Sequence, residues 1–389
     1  MNVRCPDCNA TLKYSPDLGK MYCAFCGNTY ETDELNNNAD DPSGLDESVK
    51  IRKRHADTIQ MQMVHCTSCG AKLAMNYVEI SSYCAYCGQP TIVKDRIEDY
   101  LKPDYIIPFK ITKEEALKIL KHNIKNGIFV PNDMQDIQID RLCGIYIPFW
   151  LYDVYCEDEE FWSYTNNSRN GSHTLYMFRV ANARFTQFTV DGSERLIDVS
   201  TQRLEPYDMQ ELIPFDPSYL SGFYADRFDT TADKAKSNAQ YRLDEMIKNK
   251  VKKTLPSKSV LLSRHPKAEF EDEHYALLPA WFMTFIYKGN PITVIINGQT
   301  GKMVGAFPFS KIKVTFVFLL FAIVFSLIAS KLFAYPIMSL GTQFFVGGCL
   351  LVGLFWKLAI SKIKSVMRSM VLTNSIITRN YVEERQDEQ

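Results

Sequence analysis

The chain has 389 residues, 46% of them hydrophobic, with 44 basic and 45 acidic side chains and a formal net charge of −1. That length allows two or three domains, and the apolar content suffices for a buried core. The charge balance excludes a protein drawn to nucleic acid or acidic lipid by its global field. Eight of the 11 cysteines fall in residues 5–87, all as C-x-x-C pairs. The N-terminus, MNVRCPDCNA, has no apolar run of a secretory signal. Paired thiols in an unexported chain read as metal ligands rather than disulfides.

The first predicted element is a zinc ribbon over residues 1–30, with Cys5/Cys8 and Cys23/Cys26 as its two knuckles. Two cysteines separated by two residues can place both sulfurs on one metal at about 2.3 Å, and two such turns complete a tetrahedron. Residues 31–63 are polar and acidic and are predicted to be a flexible linker. A second ribbon follows over 64–93, with Cys66/Cys69 and Cys84/Cys87, each 61 residues after its counterpart. The repeat extends to Ala10/Ala71, Leu12/Leu73, Tyr22/Tyr83, Ala24/Ala85 and Gly27/Gly88. The residue closing a knuckle often needs positive φ, which Gly27, Gly70 and Gly88 supply freely and Asn9 tolerates. Two structural zinc ions are expected. Four thiolates close each site, leaving no open position for catalysis.

Residues 100–310 alternate helix and strand signals and are predicted to be an α+β domain with a largely antiparallel sheet. Thr112-x-x-Glu115 is a capping box opening a helix to about Asn126. A longer helix starts at Asp229 or Thr230 and runs to about Lys253. Strand-like runs are Gly144–Tyr155, His173–Val180, Arg184–Val190, Ala276–Tyr287 and Ile292–Asn297, with a hairpin turn at NGQTG before Lys302. Two related halves are suggested by Ile107-Pro108-Phe109 beside Ile213-Pro214-Phe215, each before a helical stretch (Ser218–Arg227 in the second case), and by Pro148-x-Trp150 beside Pro279-x-Trp281. The tryptophans read as core. The acidic run Glu157, Asp158, Glu159 and Glu160 reads as a solvated turn, and Cys143, Cys156 and Cys349 as packing residues. No catalytic or organic-cofactor motif is present, so no enzyme is expected.

Val314–Ser330 and Ile337–Trp356 are uncharged apolar runs, predicted to form a transmembrane hairpin over 312–358. Lys311 and Lys313 before it, and Lys357, Lys362, Lys364 and Arg368 after it, outnumber Lys331 in the turn. That bias predicts a multi-pass cell-membrane protein with both termini, including the tail 359–389, in the cytosol. The bilayer is one expected partner. The ribbons lack a concentrated basic footprint, so protein contact is favoured over nucleic acid.

CPDC…CAFCG, CTSCG…CAYCG, IPFDPSYLSGFYADRFD and LLPAWFMTFIYKGNPITVIINGQTGKMVG, followed by the apolar C-terminal runs, resemble the YdjG-type membrane proteins with TFIIB-type zinc ribbons of Gram-positive bacteria. The resemblance implies a membrane-anchored adaptor that recruits a cytosolic, phage-shock-protein-A-like coiled-coil protein during envelope stress. The competing reading is a membrane-tethered nucleic-acid-binding protein.

Overall fold

The computed structural model describes residues 3–36, 58–68, 70–75, 84, 92–134, 142–168, 171–193, 198–288, 290–305 and 307–317, with 319, 320, 323 and 361 singly placed. The first unit is a three-stranded antiparallel sheet of β1 (Leu12–Ser15), β2 (Lys20–Cys23) and β3 (Thr29–Tyr30), followed by α1 (Thr32–Asn36). The rest is dominated by one 11-stranded sheet. Its strands are β4 (Thr58–Cys66), β5 (Lys72–Met75), β6 (Ile92–Leu101), β7 (Tyr105–Ile106), β8 (Leu142–Ser168), β9 (Gly171–Asp191), β10 (Ile213–Pro214), β11 (Tyr224–Asp226), β12 (Val260–Tyr287), β13 (Asn290–Asn297) and β14 (Met303–Val304). The helices are α2 (Lys113–Asn126), α3 (Asp198–Leu204) and α4 (Ala232–Lys253).

Local chemistry accounts for the helix ends. Thr112 caps α2 in a complete capping box with Glu115, as the sequence predicts. Thr231 caps α4, slightly later than predicted. Ala235, Ala239, Leu243, Ile247 and Val251 recur every fourth residue and form its buried stripe. In β8 the alternation runs deep: Ile145, Ile147, Phe149 and Leu151 pack on one face, Tyr146, Trp150, Tyr152 and Val154 on the other. Both faces are covered there, which explains the nearly continuous apolar run.

The sheet has a palindromic core, ordered β10-β7-β12-β8-β11-β5. β8 and β12 pair antiparallel, with Ile147 directly opposite Leu278. Around that pair the chain obeys a local twofold. Tyr105–Ile106 runs parallel to Ala276–Leu277, and Tyr224–Ala225 runs parallel to Ile145–Tyr146. The Gly298 carbonyl accepts the Lys110 and Ile111 amides, while the Gly192 carbonyl accepts those of Asp229 and Thr230. The Trp281 indole donates to Ile111 O at 2.8 Å and the Trp150 indole to Thr230 O at 3.0 Å. Each of those carbonyls belongs to the residue before an N-cap, Thr112 or Thr231. Each half thus holds the helix entry of the other.

Several expectations are corrected by this architecture. The match of Pro148-x-Trp150 with Pro279-x-Trp281 follows the twofold, but the counterpart of Phe109 is Phe228, three residues before its own N-cap. Ile213-Pro214 instead forms β10, which pairs with β7. Beyond it lie a 3-10 turn at Pro217–Leu220 and β11, not a helix; Gly222, at φ 96°, interrupts the segment. Asp158 and Glu160 are 1% and 0% exposed inside β8, not in a solvated turn. The predicted linker contributes α1 and the start of β4, and residues 37–57 lie outside the described ones.

The multidomain fold class is also corrected. The second ribbon is not a separate β module, because β4, β5 and β6 belong to the large sheet and β5 pairs with β11. No α+β unit with a two-helix membrane hairpin emerges: the structure is mainly β-sheet. Among the described residues no helix is long and apolar enough to cross a membrane. Residues 311–317 are helical, a length of about 10 Å against the roughly 30 Å of a bilayer core. The two-span hairpin and the multi-pass membrane placement are therefore not supported. Most of residues 318–358, and the tail 359–389 apart from 361, lie outside the described residues.

A Cβ at Gly298 would sit 2.7 Å from the buried Phe109 ring and 2.8 Å from Pro279, whereas one at Gly192 would meet Pro148 O at 3.1 Å. Gly298→Ala is expected to cost about 1–3 kcal/mol, and Gly192→Ala less. Denaturant midpoints at unchanged m-value measure both; an equal or smaller loss for Gly298→Ala would show that the Phe109 ring yields.

Candidate metal centre

The first ribbon folds because its turns supply what two knuckles need. Cys5 N donates to Ala10 O and Asn9 N to Cys5 O; Cys23 N donates to Asn28 O and Gly27 N to Cys23 O. Asn9 and Gly27 close these turns at φ 60° and 82°, the left-handed region that Asn tolerates and Gly adopts freely. Asn9 and Gly27 thereby take the positions predicted for them.

These turns bring Cys5, Cys8, Cys23 and Cys26 together, with all four sulfurs within 4.8 Å of one another. Cys5 Sγ lies 3.6 Å from Cys26 Sγ, and Cys8 Sγ 3.4 Å from Cys23 Sγ. A tetrahedron with metal–sulfur bonds of about 2.3 Å has edges of roughly 3.8 Å, so the spacing and donor set fit one thiolate-ligated metal ion. Cys5 and Cys23 are buried, Cys8 is half-buried and Cys26 exposed. The site therefore lies at the ribbon's surface.

The electrostatics point the same way. Burial opposes ionisation of Cys5, but the Tyr30 hydroxyl and the backbone groups of Cys8 and Asp7 outweigh it and bring the thiol down to about 6. Cys8, despite its backbone contact at Ala10, is pushed up to about 12 by burial and the other three sulfurs. Four neighbouring thiols cannot all ionise unaided, and a dication removes the conflict. The single Tyr30 hydroxyl proton is shared between two acceptors, Asp7 Oδ2 at 2.6 Å and Cys5 Sγ at 3.2 Å, while the Asn28 amide also donates to Asp7. This Tyr30–Asp7–Asn28 chain, which sequence reasoning missed, orients the first ligand from outside. Its only sequence signal is its proximity to the knuckles.

The ribbon is docked on the large sheet rather than tethered loosely. Tyr14 N donates to Ser221 O at 3.1 Å, the Tyr14 and Tyr219 rings meet edge-on at 5.0 Å, and Thr32 Oγ1 lies 3.0 Å from Tyr219 Oη.

Of the second predicted set, Cys66 and Cys84 are described, and both are buried. Cys66 N donates to Ala71 O and Gly70 N to Cys66 O, with Gly70 at φ 68°, repeating both knuckles of the first ribbon. Cys69 and Cys87 lie outside the described residues.

No family model and no solved structure matches this chain. Among curated proteins it is similar to the uncharacterized protein YdjG of Bacillus subtilis (strain 168), 27% identical over 325 residues that cover 81% of this chain and 92% of that protein.

Tyr30→Phe removes the hydroxyl beside Cys5 and leaves the four sulfurs. Metal affinity is expected to fall about tenfold. Loss of that hydroxyl disfavours the thiolate, so acid should release the metal at a higher pH than in the intact protein. A chromogenic chelator read across a pH series checks both; an unchanged release curve would show that Tyr30 only packs.

Proposed function

We propose that this chain is a non-enzymatic, zinc-binding adaptor that captures a protein partner through its first ribbon. The observation that carries the reading is an exposed aromatic mounted on a closed metal cluster. Phe25, between the ligands Cys23 and Cys26, is 82% exposed. Leu18, on the turn joining β1 and β2, is 48% exposed on the same ribbon. Four thiolates exhaust a tetrahedral zinc ion, so the metal supplies shape rather than a reactive position. An aromatic held on a rigid turn loses little freedom on binding and suits the centre of an interface. Docking through Tyr14 and Tyr219 ties that platform to the sheet, so a partner bound at Phe25 would be held at a defined orientation. The coiled-coil, phage-shock-protein-A-like partner implied by the resemblance is the first candidate.

A second zinc ion at Cys66, Cys69, Cys84 and Cys87 belongs to the same proposal, supported by the Cys66–Ala71 knuckle and the burial of Cys66 and Cys84. Native mass spectrometry should find two zinc ions on the intact chain and one on either Cys5→Ser or Cys66→Ser. A single ion on the intact chain would remove the second site.

For the adaptor role, the intact protein and Phe25→Ala are compared for capture of the purified coiled-coil protein. Phe25→Ala should keep its zinc and lose about tenfold or more in affinity. Equal capture by both would reject the Phe25 surface. Retardation of DNA or RNA at low salt, without protein capture, would favour the nucleic-acid reading instead.

A further inference from the structure

One part of the sheet is not matched by the local twofold. β8 continues past Trp150 to Ser168, whereas β12 ends at Tyr287, soon after Trp281. The extra length of β8 pairs with β9 and with the first half of β12. The buried acids lie in this one-sided arm. Arg264 of β12 stands between them. Its Nε is 2.8 Å from Asp158 Oδ2 and 3.0 Å from Glu160 Oε1. Its NH1 is 2.8 Å from Asp244 Oδ1 on α4, and its NH2 is 2.5 Å from Asp158 Oδ2 and 3.2 Å from Asp244 O. The Trp162 indole donates to Glu160 Oε2 at 2.7 Å.

One guanidinium thus serves three carboxylates, and every one of its nitrogens is engaged. Asp158 is 1% exposed, and its Oδ1 is buried without a hydrogen-bond partner. A buried carboxylate oxygen left this way is unfavourable unless a donor or a positive charge reaches it. Asp158 lines a cleft of about 410 Å³ between α4 and the strands. Tyr241, Leu243, Ile247, Pro266 and Ala268 supply its largely apolar lining, with Ser237 also lining it from α4. Its acids, Glu157, Asp158 and Asp244, outnumber its bases, Arg264 and Lys267, by one, and Glu160, paired with Arg264 beside the cleft, adds to the negative sign.

We propose that this cleft binds an organic cation carrying an alkylammonium group. The ammonium donates to Asp158 Oδ1 and balances the excess negative charge, and the hydrocarbon lies against Leu243, Ile247 and Ala268. An anion is disfavoured because Arg264 is already committed. A bare metal ion fits less well, because Asp158 and Asp244 are already held by Arg264 and do not converge on a common point. Among the described residues, the cluster tight enough to share one ion is the four-cysteine group of the ribbon, not these acids.

The test titrates the zinc-loaded full chain with 1,4-diaminobutane, following heat release and thermal unfolding. The uncharged 1,4-butanediol and Mg²⁺ serve as comparison probes. Saturable binding of the diamine alone is expected. Asp158→Asn should weaken it about tenfold or more, the loss of a hydrogen bond to a charged group. Ser237→Trp changes an exposed helix position and fills the cleft without touching the ion pairs, so it should abolish binding while the protein stays folded, even if Asp158→Asn does not. No diamine binding to the intact chain, an equal response to the diol or to Mg²⁺, or full binding by Ser237→Trp would each overturn the proposal.

Discussion

The carbonyls of Gly192 and Gly298 are the contacts on which the architecture turns. Each leaves the end of a strand in one half and accepts two amides from the segment entering a helix of the other. A buried amide without a partner costs about 1–3 kcal/mol, so neither helix entry keeps its bonds if the halves separate. The indoles of Trp150 and Trp281 reinforce the exchange by bonding the last carbonyl before each N-cap. The rings of Phe228 and Phe109 pack against those same tryptophans. The two halves are consequently one cooperative body, not two domains in contact.

That body is extended beyond its palindrome in two places. On one side β5 joins β11 and brings the Cys66 knuckle into the sheet. On the face carrying Tyr219, the first ribbon docks through a backbone hydrogen bond and an aromatic contact. Metal loading of the first ribbon is therefore coupled to the sheet mechanically. An ion bound there would brace the turns that hold β1 and β2, and with them the surface that meets Tyr219.

Much of the local structure was legible. The knuckle spacing, the closure of three turns by Asn9, Gly27 and Gly70, the Thr112–Glu115 capping box and the hairpin at Asn297–Gly301 depend on side chains within a few positions of one another. Other features were misread for a common reason. The acids at 157–160 look solvated because sequence shows their charge but not Arg264, more than 100 residues away. Ile213-Pro214-Phe215 looks like a second helix entry because the words match, although the hydrogen bonds assign that role to Phe228–Thr231. The apolar C-terminal runs satisfy a length criterion for membrane spans, yet none of the described helices does.

By itself, the sequence determined that Cys5, Cys8, Cys23 and Cys26 cluster, because C-x-x-C spacing and turn stereochemistry are local and leave the sulfurs few other places to point. It also determined the Thr112 cap of α2, for the same reason. Only the tertiary structure decided that the second ribbon is fused to the large sheet, that the tryptophans bridge two halves, and that three carboxylates share one arginine. Those arrangements rest on strand pairing between distant segments, where register and burial, not neighbouring residues, choose the partner.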